Sequence, residues 1–142
     1  MLDVPNLIVV HFKDGRLLKG YTHDFSPEEE IFHLTSEEKR DRGIIYGIGL
    51  KELKAIFFVK TLKGDKNYTR KKNFDEVDTY RDQGLKVTVR FPDGETIRGL
   101  SIDYGKNKKG FFITPVDPED NNESVYVLTH ALRDVKVENA IK

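Results

Sequence analysis

Residues 8–20, IVVHFKDGRLLKG, recur 79 positions later as residues 87–99, VTVRFPDGETIRG. Both copies place an apolar residue at every second position up to a phenylalanine and then continue into Asp-Gly. This alternation predicts a strand with one buried face, and Asp-Gly after it predicts the tight turn of a hairpin. Each copy ends in a glycine in the middle of the second strand, where a glycine is typical of a sharp bend. The stretch therefore predicts a bent hairpin twice in the chain.

The similarity between the two copies extends without a gap through residues 8–58 and 87–137. Three further strands are predicted in each copy, with a short turn before the last one. In the first copy they cover residues 31–35, 44–48 and 54–59, and in the second copy residues 111–114, 125–128 and 133–138. A repeat of this length indicates two copies of one small folding unit.

The predicted fold class is all-β, with two tandem five-stranded small barrels related by internal duplication. The first barrel covers residues 1–60 and the second covers residues 85–142. A charged linker, residues 61–84, joins them. Its segment from Asn73 to Gly84 carries the capping pattern of a short helix.

The hairpin motif resembles the first signature of Sm-like proteins, which include bacterial Hfq. The motif runs from Val10 to Asp24 and from Val89 to Asp103, and the stretch from Tyr126 to Val135 resembles the second Hfq signature. SH3-like barrels share much of this pattern. The resemblance implies an Sm-like or SH3-like barrel. Sm-like proteins contact RNA through an asparagine near the third strand, but the first copy has Glu28-Glu29-Glu30 in that loop, which would repel phosphate.

Gly20 to Thr22 and Lys54 to Val59 also resemble segments of a poorly characterised group of bacterial proteins. That resemblance implies a fold and no activity.

Composition excludes several classes of protein and site. The chain has no cysteine, which excludes disulfides, thiolate metal sites and cysteine nucleophiles. Basic and acidic residues each number 24, so no overall field attracts nucleic acid. No apolar run reaches the roughly 20 residues that a membrane span needs. We expect a cytoplasmic protein that is not an enzyme, with no cofactor, catalytic or metal site and no membrane contact.

An asymmetry between the copies predicts a contact surface. Val9, Leu17 and Phe57 point outward in the first copy, whereas their counterparts are Thr88, Thr96 and Lys136. Three neighbouring apolar side chains on an exposed face indicate an interface. The alternative is that the linker folds over them.

A second candidate surface is basic. Lysines and an arginine surround one tyrosine in the linker, and three more lysines lie in a loop of the second copy. These candidates for anion or nucleic-acid binding are Lys63, Lys66, Tyr68, Arg70, Lys71, Lys72, Lys106, Lys108 and Lys109. The alternative is a solvated linker whose charge keeps the chain soluble.

We therefore expect a non-catalytic interaction or scaffold module that acts through barrel edges and loops. Its partner would be another protein or a second copy, since open barrels have unpaired edges and Sm-like proteins join such edges into rings. The tandem chain could close on itself, dimerise or form a ring of three chains. RNA or single-stranded nucleic-acid binding is the first alternative, and small-ligand or nucleotide sensing between the barrels is the second.

Overall fold

The computed structural model describes residues 5–62, 84–105, 107–117 and 119–139. These residues form ten strands: β1 Asn6–Phe12, β2 Leu17–Thr22, β3 Ile31–Ser36, β4 Ile45–Gly49, β5 Leu53–Val59, β6 Leu85–Arg90, β7 Thr96–Ser101, β8 Gly110–Pro115, β9 Asn122–Leu128 and β10 Asp134–Asn139. Single 3-10 turns, Leu50–Glu52 and Thr129–Ala131, precede β5 and β10. The described residues contain no α-helix, which confirms the all-β class. The helix expected in the linker lies outside them.

The ten strands form one antiparallel sheet that does not close, in the order β10-β6-β7-β8-β9-β5-β1-β2-β3-β4. Strands β1–β5, the first half, occupy one side of this order and β6–β10, the second half, occupy the other. Matching residues keep the same register in both halves, so that Val10 lies opposite Leu18 and Val89 lies opposite Ile97. The division into separate barrels at 1–60 and 85–142 stays a prediction, because both halves belong to one sheet.

The hairpins form as their sequence indicates. In each one, the N–H of the phenylalanine, Phe12 or Phe91, donates to the carbonyl four residues later over 2.9 Å. Gly15 and Gly94 have φ angles of 97° and 96°, a region that glycine enters without steric cost. The Asp-Gly step therefore sets the length of both turns.

An aspartate then holds the connection from the second to the third strand. Asp24 accepts hydrogen bonds from the backbone N–H and the ring nitrogen of His33, at 2.9 and 2.7 Å. Asp103 accepts one from the backbone N–H of Phe112 at 3.0 Å. Each carboxylate thereby replaces strand partners that the loop cannot supply.

The buried side chains of the sheet form two hydrophobic clusters, and each cluster contains residues from both halves. The first contains mainly side chains of the first half, together with Tyr126, Leu128 and Ala131. The second contains mainly side chains of the second half, together with Ala55, Phe57 and Val59. Strands β5 and β9 therefore contribute to both cores.

The expected exposed patch is not present as such. Phe57 is only 7% exposed, and it packs in the second cluster with the half-buried Val9. Leu17 is 43% exposed. The pairing of β5 with β9 is the physical reason, since it brings the second half over the outward face of the first. The halves are therefore joined by strand pairing between β5 and β9.

Substitution at the strand-two glycines tests the predicted bends. A Cβ at Gly20 would lie 1.9 Å from the carbonyl oxygen of Thr35, whereas a Cβ at Gly47 would meet nothing within 4 Å. We expect Gly20→Ala to lower the free energy of unfolding by about 3 kcal/mol, because the backbone must move apart. Gly47→Ala, the matched control, should change it by less than about 0.5 kcal/mol. Urea denaturation measures both, and equal effects would contradict the close approach.

Candidate functional site

The junction between the halves is a ladder between β5 and β9. Its register places Ile56 opposite Tyr126 and Phe57 opposite Val125. Most side chains along the ladder are apolar and buried. The two strands satisfy each other's backbone N–H and C=O groups by hydrogen bonding. The two halves therefore form one rigid unit along this ladder.

Aromatic rings lock one face of the junction. Phe25, from the connection between β2 and β3, contacts Phe58 of its own half with ring centroids 5.6 Å apart. It also contacts Tyr126 and Phe112 of the second half, at 5.3 and 6.4 Å. These contacts are edge-to-face, which is a favoured geometry for aromatic pairs. Phe25 therefore ties a loop of the first half to the second.

A lysine holds the other end of the junction. Lys54 of β5 has a side chain only 12% exposed, and its Nζ lies 2.7 Å from Asp93 and 2.5 Å from Glu95 of the second hairpin. The same ammonium lies 4.6 Å from the centroid of the Phe91 ring. Burial alone would lower the pKa of Lys54, but its hydrogen bonds to the two carboxylates outweigh burial and raise that pKa. The Lys54 hydrogen bond in turn lowers the pKa of Asp93.

His11 is a partly buried histidine next to the β5–β9 junction. Its ring lies 4.3 Å from the ring of Phe57. Burial lowers the pKa of His11 to about 4, so the imidazole is neutral at pH 7. The junction therefore shields a titratable side chain on the neighbouring strand from part of the solvent.

A cleft opens where loop 27–30 of the first half faces loop 103–110 of the second. It consists of two adjoining cavities of about 450 and 570 Å³. They share the lining residues Pro27, Glu28, Lys108 and Lys109. We call the two cavities together the junction cleft, because neither half would form it alone.

The two sides of the junction cleft differ in charge. Glu28, Glu29 and Glu30 line the cleft from the first half, together with Lys51, and Lys108 and Lys109 line it from the second half. Lys108 donates to the carbonyl oxygen of Asp103 at 3.0 Å and lies 3.7 Å from its carboxylate. The Glu28–Glu30 carboxylates and the Lys109 ammonium form no ion pair with any residue the structure describes.

Histidine 130 closes the far end of the cleft. Its Nε2 lies 3.2 Å from the carbonyl oxygen of Leu50, an acceptor to which the ring N–H donates. Its Nδ1 lies 3.4 Å from the Nζ of Lys13. Both contacts cross between the halves, so His130 fixes one 3-10 turn against the other. Leu50 and Leu128 give this end an apolar wall.

The outer strands of the sheet, β4 and β10, form a second candidate surface. No described strand pairs with the outer side of either one. Ile45 on β4 is 64% exposed and Val137 on β10 is 37% exposed. Apolar side chains next to unpaired backbone groups are typical of a strand that can accept another strand.

The structure places only part of the predicted basic surface. Six of these candidates, Lys63, Lys66, Tyr68, Arg70, Lys71 and Lys72, lie outside the described residues, and so does Lys106. Lys108 and Lys109 line the junction cleft. Sequence reasoning did not single out Lys54 as a bridge between the halves. It noted Tyr126 only as part of a motif.

The described ranges contain neither a metal-binding cluster nor a membrane-spanning helix. No three histidine, aspartate or glutamate side chains there come together as a metal-binding group. No helix within those ranges has the length and apolar character that crossing a membrane requires.

Comparison with known proteins gives a family and no relative of known function. A family model described as a family of unknown function (DUF6982) matches residues 4–139. No curated protein matches the chain. No solved structure matches it.

The Lys54 bridge predicts an acid-sensitive contribution to stability. We expect Lys54→Met to lower the free energy of unfolding at pH 7 by about 1 kcal/mol, a modest value because both carboxylates are largely in solvent. Asp93 has a lowered pKa, so its contribution is complete above its ordinary pKa of 3.8 and is lost as the pH falls through the lowered value. The difference between wild type and variant should therefore shrink toward pH 2–3.

Urea denaturation at several pH values measures this difference. Lys19→Met is the matched control, since Lys19 is a half-buried lysine of a first-half strand and forms no ion pair with the described residues. A difference that stays constant down to pH 2 would contradict the bridge.

Proposed function

We propose that this chain, which belongs to DUF6982, a family of unknown function, is a non-catalytic interaction module that assembles with copies of itself through the end strands of its sheet. One observation carries the proposal. The chain already pairs β5 of its first half with β9 of its second, and the equivalents of these two strands, β10 and β4, stand at the open ends.

The equivalence follows from the 79-residue offset. Strand β4 of the first half corresponds to β9, and β10 of the second half corresponds to β5. A β10 strand of one molecule against a β4 strand of the next would therefore reproduce the junction between molecules. Within the chain Phe58 lies opposite Ser124, so the same register places Val137 opposite Ile45 of the neighbour.

The side chains at this register fit a contact. Ile45 and Val137 are the exposed apolar residues of the two end strands, and the register brings them face to face. Burying a side chain of this kind contributes about 1.5–3 kcal/mol. The Lys54 bridge has only a partial counterpart. Arg133 and Asp14 occupy the positions of Lys54 and Asp93, whereas Arg16, in the position of Glu95, carries the opposite sign and already pairs with Asp14 at 2.8 Å.

The backbone N–H groups on the outer edge of β4 are also oriented to pair with another strand. The ladder to β3 begins with the Ser36 N–H donating to the Ile44 carbonyl over 2.8 Å. Bonded pairs alternate along an antiparallel ladder, so the N–H groups of Ile45 and Gly47 point away from β3. They are placed to pair with an incoming strand.

The outer contact should be weaker than the internal one. Asp134, Lys136 and Glu138 occupy the positions of Ala55, Phe57 and Val59, and charged residues on an edge strand oppose close pairing. Assembly is therefore reversible and depends on protein concentration.

A contact between unlike strands is head-to-tail, so it produces a ring if the rotation per molecule closes and a filament if it does not. We further propose that each group of five strands is a small barrel of the Sm-like or SH3-like type. What supports this is the same strand order and register in both groups, with a glycine at each predicted bend. A ring of three chains would then hold six barrels.

Charge substitutions at the proposed contact test the assembly. We expect wild type to show masses that are multiples of 16.4 kDa and that rise with concentration. Ile45→Lys and Val137→Glu should each shift the protein to monomer, because each places a charge opposite an apolar side chain. The double variant should recover assembly, since opposite charges would then face each other across the strands. Light scattering after gel filtration measures the mass.

Ile102→Lys is the matched control, because Ile102 is 84% exposed and follows β7, away from both end strands. It should assemble as wild type does. A wild-type mass of 16.4 kDa at every concentration would refute the proposal. Co-purified nucleic acid that dissociates steeply with salt would favour the RNA-binding alternative instead.

A further inference from the structure

Tyr126 as a whole is only 2% exposed, but its hydroxyl is accessible from a cavity and forms no hydrogen bond with the residues the structure describes. The tyrosine lines the larger cavity of the junction cleft, together with Asp103, Lys108 and Gly110. The hydroxyl therefore faces the cavity as a free donor, placed to bind a ligand or solvent that enters it.

A glycine creates the room for this hydroxyl. A Cβ at Gly110 would lie 2.6 Å from the Tyr126 oxygen. The equivalents of Gly110 and Tyr126 in the first half are Ile31 and Gly47, so the first half has no such group. The site belongs to the junction alone.

The donors around the cavity favour an anionic group. Burial and the nearby Asp103 carboxylate raise the pKa of Tyr126, so its phenol stays protonated at neutral pH and can donate. The ammoniums of Lys108 and Lys109 line the same cavity. Asp103 is already committed, because its carboxylate accepts from the Phe112 N–H and from the Ser101 hydroxyl, at 3.0 and 3.1 Å.

The acidic side of the cleft limits the ligand's negative charge. Glu28, Glu29 and Glu30 would repel a polyanion and would attract a positive group at the smaller cavity. Between the two charged sides, Pro27, Leu50 and Leu128 offer apolar surface. The cavities, at about 450 and 570 Å³, lie within the usual size range of small-molecule sites.

We infer that the junction cleft binds a small zwitterion with an apolar body, of the amino-acid or short-peptide class. Its carboxylate accepts hydrogen bonds from the Tyr126 hydroxyl and the Lys109 ammonium, and its positive group lies near Glu29 and Glu30. This function is separate from assembly through the end strands, since the cleft lies at the internal junction.

Calorimetric titration of the full chain tests the inference. The probe is the tripeptide Lys-Ala-Leu with a free carboxylate, compared with the same peptide carrying a C-terminal amide and with free lysine. We expect the acid to bind and the amide to bind at least tenfold more weakly, because a neutral amide loses the charge-assisted hydrogen bonds. Binding of the tripeptide but not of lysine would identify peptide ends as the source, and the reverse would identify free amino acids.

Variants then locate the site. Tyr126→Phe keeps the buried ring and removes only the hydroxyl, so it should weaken binding of the acid at least tenfold with little change in melting temperature. Tyr46→Phe is the matched control, because its hydroxyl bonds Asp41 outside the cleft. It should bind as wild type does.

Three results would overturn the inference. They are equal affinity for acid and amide, unchanged affinity in Tyr126→Phe, and no heat with either peptide or lysine. A nucleoside monophosphate that binds through Tyr126 where the peptides do not would replace the zwitterion with a phosphate ligand. Repeating the titration on Ile45→Lys separates this test from assembly, since that substitution lies outside the cleft.

Discussion

Backbone pairing between β5 and β9 turns two groups of five strands into one sheet, and most other features follow from it. It places Phe57 in the core of the second half and brings Lys54 within hydrogen-bond distance of the second hairpin. It also brings the loop that carries Phe25 against Tyr126. The junction cleft exists only because the loop that carries Glu28–Glu30 meets the loop that carries Lys108 and Lys109 there.

Equivalent positions in the two halves carry different residue types where one is at the junction and the other is on an open edge. Phe57 and Tyr126 face the junction, whereas their equivalents, Lys136 and Gly47, stand on open edges. An apolar residue stabilises a buried strand pair, but on an open edge it invites uncontrolled association. Ile45 and Val137 depart from this rule, and for that reason they point to a contact rather than to a protected edge.

Local features of the fold could be predicted from the sequence because local chemistry decides them. The Asp-Gly turns, the placement of Gly20 and Gly99 within the second strand of each half and the strand positions depend on residues within a few positions of each other. The junction could not be predicted in this way. Strand edges carry the same backbone groups everywhere, so no local pattern states that β5 meets β9. Phe57 packs in the second cluster, and the buried residues of the second half that share this cluster lie 30 to 70 positions later in the chain.

The cleft shows the same limit. Lys108 and Lys109 could be identified as candidate binding residues from their charge alone. The role of the Tyr126 hydroxyl could not, because it depends on the cavity that the end of the buried ring reaches in the folded chain. One signal was present in the sequence. The pair Ile31 and Gly47 becomes Gly110 and Tyr126 in the second copy, so the bulky residue changes strand. An exchange of this kind marks a place where one copy is shaped for a neighbour.

Covalent connection decides which of the two junctions is permanent. Both halves belong to one chain, so the β5–β9 contact benefits from a high effective concentration that a contact between molecules lacks. The internal junction can therefore hold even a ligand site, while the end strands depend on protein concentration. A ligand that touches Tyr126 on one half and Glu29 on the other binds only when the halves are paired, and it would stabilise that pairing in proportion to its own affinity. In the proposed assembly, the same kind of strand contact would be a fixed connection inside the molecule and a reversible connection between molecules.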